Sequence, residues 1–275
     1  MHKSTIVAAL ALLFTCSIMA QNNTIQNKHG IAYLPQAYDW AIGADASPYL
    51  EYLGNLFNGT ENNELDLGNQ NLYFRYYITN KSAIRINLSI GNSTNKEFYY
   101  INNEANIDPL NMYNMVEDMK KTQKNSYSVL IGLQKSRGYG RLKGFYGLQV
   151  GYQYSKESIF YEYGNAFSAA NQTPGNYWDF ETSRPTEINK GKSNGITGGG
   201  FVGVEFYILP KICIGGECSL MYTKTWQSQS YSTFEQWSND RVISVDIPET
   251  PGNKTSNLET ARPATYSGLY LMFHF

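Results

Sequence analysis

From residue 37 to the C-terminus the chain changes chemical character at every second residue, and that period dictates strands, because only an extended chain sends alternate side chains to opposite faces. The segment 82 to 91 shows it most clearly. Ile84, Ile86, Leu88 and Ile90 share one parity, while Ala83, Arg85, Asn87 and Ser89 share the other. The same pattern runs through eight segments: 37 to 46, 70 to 79, 82 to 91, 125 to 136, 142 to 156, 195 to 208, 211 to 224 and 264 to 275. Inside them the forty positions on the apolar parity, among them Trp40, Phe74, Val129, Tyr152, Val204, Leu220 and Phe273, carry no charge, although 16% of the chain is charged. The charges fall on the other face, as Asp39, Asp45, Arg75, Arg85, Glu205 and Glu217.

The connections alternate between tight turns and long excursions. Asn80-Lys81, Gly138-Tyr139-Gly140 and Leu209-Pro210 mark turns, whereas 47 to 69, 92 to 124, 157 to 194 and 225 to 263 are long and rich in Asn, Ser, Gly and Tyr. Short turns at one end and long loops at the other are the pattern of a transmembrane up-and-down barrel, and an even strand number returns the two termini to one side.

Alternation alone leaves open whether the apolar face meets lipid or a soluble core, as in a secreted ligand-binding barrel. Volume argues for lipid. A ring of about eight strands encloses room for modest side chains or one small ligand, and the apolar face carries Trp40, Phe74, Tyr76, Tyr146, Tyr152, Tyr154, Phe206 and Tyr222. The opposite face offers Gly43, Gly132, Gly147, Gly151, Gly203 and Gly215, which suit a narrow interior. Aromatic residues near strand ends also fit the girdles of a membrane barrel. The charged residues are then expected to meet inside, with Arg75 and Arg85 joined to Glu205, Glu217, Asp39 and Asp45 in a structural network.

Residues 1 to 20 read as a secretory signal: His2 and Lys3, an apolar run from Ile6 to Met19 too short to span a bilayer, and a small residue at Ala20 before Gln21. Cys16 with Leu13 would fit a lipoprotein signal, but Thr15 stands where a smaller residue is expected. The organisation expected is therefore a signal over 1–20, a periplasmic N-terminal segment over 21–36 and an outer-membrane barrel over 37–275. A mean hydropathy of −0.42 argues against a further membrane helix, and a net charge of −1 against a nucleic-acid partner. Cys213 and Cys218 lie about 16 Å apart on opposite faces of one strand, too far to bridge.

Little in the chain points to catalysis. His2, His29 and His274 are the only histidines, so the long loops supply no base for a Ser/His/Asp arrangement and no zinc-ligand cluster. Gly198-Gly199-Gly200 lacks the Lys-Ser/Thr continuation of a phosphate-binding loop and suits a strand bending around a small barrel. The acidic groups Glu61, Glu64, Asp66 and Glu117, Asp118 lack the spacing of a calcium cage and read as solvated loop charges. In the stretch 109 to 124, Met112, Met115, Val116 and Met119 recur at helical spacing, predicting a short amphipathic helix in the second loop. No catalytic, metal-binding or cofactor-binding residue is expected.

The stretches Gly144 to Gly151 (GFYGLQVG), Gly200 to Phe206 (GFVGVEF) and Gly268 to Phe275 (GLYLMFHF) resemble those of small bacterial outer-membrane β-barrel proteins of the OmpX/OmpA-barrel type, the porin-family-like barrel domain. The resemblance covers 37 to 275 and implies an all-β, eight-stranded antiparallel transmembrane barrel with four long extracellular loops. It also implies that Leu269, Leu271, Phe273 and Phe275 form the C-terminal assembly signal read by the barrel assembly machinery; no OmpA-like peptidoglycan-binding domain is expected after the barrel. Lipid-A-modifying barrels of this architecture depend on an outer His, which is missing from the loops. The resulting expectation is a non-enzymatic barrel without cofactor, its lumen filled. It would contact outer-membrane lipid and lipopolysaccharide and act through its loops as a structural, adhesion or accessory subunit for another envelope or surface protein. A small porin or passive channel is the alternative.

Overall fold

The structure, a computed structural model, describes residues 25–59, 69–105, 113–260 and 268–275. Eleven strands and one helix follow in order: β1 (Trp40–Asp45), α1 (Ser47–Asn58), β2 (Asn69–Thr79), β3 (Ser82–Asn102), β4 (Met115–Arg137), β5 (Leu142–Glu162), β6 (Ser183–Leu209), β7 (Ile212–Gln227), β8 (Tyr231–Ser238), β9 (Arg241–Pro248), β10 (Asn253–Thr260) and β11 (Leu269–His274). Neighbours pair antiparallel from β1 through β7, then β7 pairs β11 and β11 pairs β1, so that eight of the eleven strands close into a ring. Closure satisfies the backbone groups that a free edge would leave unpaired.

Three tight turns join β2 to β3, β4 to β5 and β6 to β7 at one end of the ring. Lys211, at φ 64°, and Gly140, at φ 67°, take the left-handed conformation that such reversals require. The same end is covered by the N-terminal segment. Tyr33 and Leu34 pack against the buried cluster, the Tyr33 carbonyl accepts from the Lys211 N–H, and the Arg141 guanidinium lies 4.0 Å over the Tyr33 ring.

The two faces separate as the period-two pattern demands. Tyr73, Tyr77, Phe145, Phe201, Tyr207, Tyr270 and Met272 are buried inside the ring with Arg75, Arg85 and Glu205. Outward stand Ile84, Ile86, Ile90, Ile131, Leu133, Leu148, Val150, Val202 and Val204, with Leu133 64% exposed. The inside is close-packed. A Cβ on Gly215 would meet the Tyr270 ring at 2.3 Å, and one on Gly203 would meet the Phe145 ring at 2.2 Å.

Four expectations need correction. The long connections are largely strand: β3, β4, β5 and β6 run on past the ring, and 225 to 263 contains β8, β9 and β10. A hairpin already paired below extends cheaply, since each added residue gains a ladder bond without a new closure cost. For the same reason Met115, Val116 and Met119 form strand and not helix, with Val116 opposite Ile101 and Met119 opposite Phe98; Met112 lies outside the described residues. The first connection holds the helix α1, which begins Ser47-Pro48 and ends at Gly59 with φ 68°. Finally, the last segment begins as strand only at Leu269, with 264 to 267 outside the described residues, while β10 pairs with the same strand, β7, farther along.

The crowding at Gly215 gives a direct expectation. Gly215→Val should destabilise the folded form by about 1–3 kcal/mol through overpacking against Tyr270. Gly200→Val, whose Cβ would find only ordinary contacts at 3.6 Å, should stay within about 0.5 kcal/mol. The temperature at which the folded species is lost on a detergent gel reports the difference.

Candidate functional site: a bridged lumen and a braced outer platform

Two arginines on neighbouring strands cross the ring to carboxylates on the opposite wall. Arg75 on β2 is paired with Glu205 on β6, each about 1% exposed. Tyr270 on β11 completes a triangle: its hydroxyl donates to Glu205 Oε1 at 2.6 Å and accepts from Arg75 Nη2 at 2.8 Å. The Tyr207 hydroxyl donates to Glu205 Oε2 at 3.3 Å. Arg85 on β3 reaches Glu217 on β7 with both terminal nitrogens, at 2.6 and 3.1 Å, and its guanidinium lies 4.0 Å over the Phe201 ring. Buried charges persist only where pairing and hydrogen bonds offset desolvation, and the two-pronged Arg–Glu geometry is the strongest such pairing.

The sequence placed Asp39 and Asp45 in this network, and the structure separates Asp39 from it. Asp39 pairs with Lys211 at the turn end and accepts from the Gln36 N–H at 2.7 Å. The reason is height: Asp39 lies just before β1, level with the β6 to β7 turn that carries Lys211. Asp45 is buried at the far end of β1, opposite Tyr270 in register. Leu269, Leu271, Phe273 and Phe275 belong to the closing strand and its end, with Leu269, Phe273 and Phe275 exposed on the outer surface. Sequence reasoning missed Tyr270, Tyr207, Phe145 and Phe201. All four lie on the polar parity, and for Phe145 and Phe201, each preceded by a glycine, that placement is the available signal of an inward ring stacked on a cation.

Beyond the ring the extended strands form a platform held by buried polar side chains. Asp118, fully buried, accepts the backbone N–H groups of Gly164 and Tyr177, each at 2.8 Å. It is therefore a structural acceptor and not the solvated charge expected of it; Glu117 beside it is exposed. Glu104 accepts from the Gly175 N–H at 2.9 Å and Asn171 Nδ2 at 2.6 Å, and Asn165 Nδ2 donates to the carbonyls of Asn102 and Gly175. The irregular connection from 163 to 182 is thus tied to the β3 to β4 extension. Rings seal the joint: Tyr99 stacks on Tyr177 at 3.8 Å, and Trp178 meets Tyr161 edge-on at 4.9 Å.

A second brace joins the β8 to β9 hairpin to the platform. Buried Arg184 reaches Glu235 at 2.7 Å and lies 4.1 Å over Tyr163 and 4.5 Å over Phe167. Burial pushes the Tyr163 phenol well above its ordinary pKa, and its hydroxyl donates to the Pro185 carbonyl at 2.6 Å. A cavity of about 340 Å³ opens beside these residues, lined also by Tyr161, Thr186 and Val242. Among the described residues no group of three or more His, Cys, Asp or Glu is placed to hold a metal ion.

These features define a class: a closed antiparallel barrel, apolar outside and ionic inside, carrying a braced strand platform at one end. No protein-family model matches the chain, and no curated protein does. Among solved structures it is similar to the outer membrane protein OprG from Pseudomonas aeruginosa, with a TM-score of 0.30 and 8% identity over 88% of this chain and 98% of that one. It is also similar to E. coli Outer Membrane Protein W, with a TM-score of 0.30 and 10% identity over 88% of this chain and 100% of that one.

Two expectations follow. Arg75→Met, which strands Glu205 in the interior, should cost about 3–5 kcal/mol, and adding Glu205→Leu should recover most of it; a double-mutant cycle on thermal unfolding measures the difference. Asp118→Ala should leave the ring intact and release 163 to 182, so that limited proteolysis cuts there at protease levels that leave the unsubstituted protein whole.

Proposed function

We propose that this chain is a non-enzymatic outer-membrane barrel whose lumen is closed by its ionic bridges and whose outer platform is the working surface, as a structural, adhesive or accessory subunit. One observation carries the membrane reading: the exposed outer wall of the ring is an uncharged apolar belt, while the charges are turned inward and paired. Water would penalise that exterior, and hydrocarbon accepts it only because the ring leaves no strand edge open. The turn end, with the N-terminal segment beneath it, then faces the periplasm, and the platform faces outward.

Closure of the lumen is supported by the two arginines, which cross from β2 and β3 to β6 and β7 between the rings of Phe145, Phe201 and Tyr270. The partners this reading implies are outer-membrane lipid and lipopolysaccharide around the belt and the barrel assembly machinery during insertion, with the Leu269, Leu271, Phe273 and Phe275 end as its signal. A further envelope or surface protein would meet the platform. Working surfaces built on a rigid scaffold favour this location, and the bracing of 163 to 182 by Asp118 and Glu104 gives such a surface a defined shape.

Planar-bilayer recording tests closure and separates it from the alternative of a small passive channel. The unsubstituted barrel should give no steady conductance, whereas the double substitution Arg75→Ala, Arg85→Ala should open measurable steps. Reproducible pores from the unsubstituted protein would replace the closed-barrel reading with the channel.

A further inference from the structure

We infer that the turn end of the ring binds the phosphate of an anionic phospholipid, an inference that rests on the membrane reading above. Over the whole chain charge is nearly balanced, with 22 lysines and arginines against 23 acids. At this end the balance is lost. The turn stretches 79 to 82, 135 to 143 and 208 to 212 hold Lys81, Lys135, Arg137, Arg141, Lys143 and Lys211, and no acid. The N-terminal segment beneath them, 25 to 39, adds Lys28 and one acid, Asp39, which is taken up by Lys211.

Two neighbouring turns concentrate the unmatched charge. The Ser136 N–H donates to the Lys81 carbonyl at 2.7 Å and Lys135 stands opposite Ser82, so the β2 to β3 turn lies beside the end of β4. Lys143, at the start of β5, donates to the Gly138 carbonyl at 2.7 Å, and Arg141 lies over Tyr33. Lys81, Lys135 and Arg137 are exposed, and among the described residues none of the three has a carboxylate within ion-pair reach. Cations gathered without a counter-charge repel one another, and an anion supplied from outside relieves the repulsion.

The outward row of β4 defines which anion fits. It runs Val129, Ile131 and Leu133, all exposed and apolar, and continues to Lys135 and Arg137, while Leu130 and Gln134 are buried inside the ring. Successive outward residues on one strand stand about 7 Å apart, so a single row presents apolar wall and then two cations to the same molecule. An acyl chain lying against Ile131 and Leu133 brings its phosphate beside Lys135 and Arg137, whose aliphatic stems follow the wall while their charged ends reach the headgroup. Exposed Tyr139 and Leu142 on the adjoining turn continue that boundary. With no acid in these turns, the ammonium of a zwitterionic headgroup finds no partner there, and a net-negative headgroup is preferred. A soluble acidic partner would match the cations but not the apolar row beside them.

Spin-labelled lipids test this in the full chain reconstituted in phosphatidylcholine vesicles. Lipid in contact with a protein wall is motionally restricted and gives its own component in the electron spin resonance spectrum. The size of that component is compared for labelled phosphatidylglycerol and labelled phosphatidylcholine. The unsubstituted protein should favour phosphatidylglycerol about twofold, and the preference should vanish at about 1 M salt, where the screening length falls to about 3 Å. Lys135→Gln with Arg137→Gln, both exposed, should lose most of the preference and leave the total restricted lipid unchanged. Lys156→Gln with Lys192→Gln, a cross-strand pair toward the other end of β5 and β6, should keep it. A preference that survives the first pair of substitutions or high salt, that is lost with the second pair, or that never exists while restricted lipid is present, overturns the site and leaves the barrel reading standing. No restricted component with either lipid overturns both.

Discussion

The hydrogen-bonded seam between β11 and β1 is the constraint on which the rest depends. Until Leu271 pairs with Ala44 and Phe273 with Ile42, the ring strands are an open sheet with two free edges and an exposed apolar face. Once they pair, each ring strand has a neighbour on both sides and the interior becomes a separate compartment. The C-terminal strand comes last in the chain yet borders the first, so closure joins residues more than two hundred positions apart and has to await the whole sequence.

Closure creates an electrostatic problem that the interior solves. A narrow ring built of alternating side chains turns half of them inward, and with lipid proposed outside, the inward half carries the polar residues. Two arginines and two glutamates would be prohibitive there singly; as pairs, further bonded by Tyr270 and seated over Phe145 and Phe201, they become cross-braces between opposite walls. Gly203 and Gly215 make room for those rings. The same arrangement that braces the barrel fills the middle of the ring, and on that basis the outer platform is proposed as the working surface.

That platform is an extension of the barrel and not a set of independent loops. β3 to β6 carry their ladder outward beyond the ring, and the irregular segment between β5 and β6 is held down by side-chain carboxylates accepting backbone N–H groups. Strand-built surfaces lose little conformational entropy on meeting a partner, because most of it was lost on folding. The departure from this plan is at β1, which stops at Asp45 and gives way to α1. There the wall ends early and an amphipathic helix takes its place.

The sequence by itself determined the ring strands, their facing and their turns. Period two is a local property: Ile84 to Ile90 alternate with Arg85 and its neighbours whatever the rest of the chain does, and Asn80-Lys81 or Gly138 to Gly140 reverse the chain locally. The pairing of Arg75 with Glu205 was legible as a class, since charges confined to one face of a closed ring must meet. Its exact partners were not, because the choice between Glu205, Glu217 and Asp39 depends on strand order and shear, which set the height of each side chain. Tertiary structure alone decided the fate of the long connections. Met115 to Met119 had helical spacing, yet a ladder already standing on β3 captured them, and Asp118 became a buried acceptor because Gly164 and Tyr177, distant in sequence, arrived with unpaired N–H groups. The helix α1 is the reverse case. Its Ser-Pro start, paired apolar residues and terminal glycine were present in the sequence, and the structure adds what no local pattern contains: its place directly after β1 leaves the ring at Asp45.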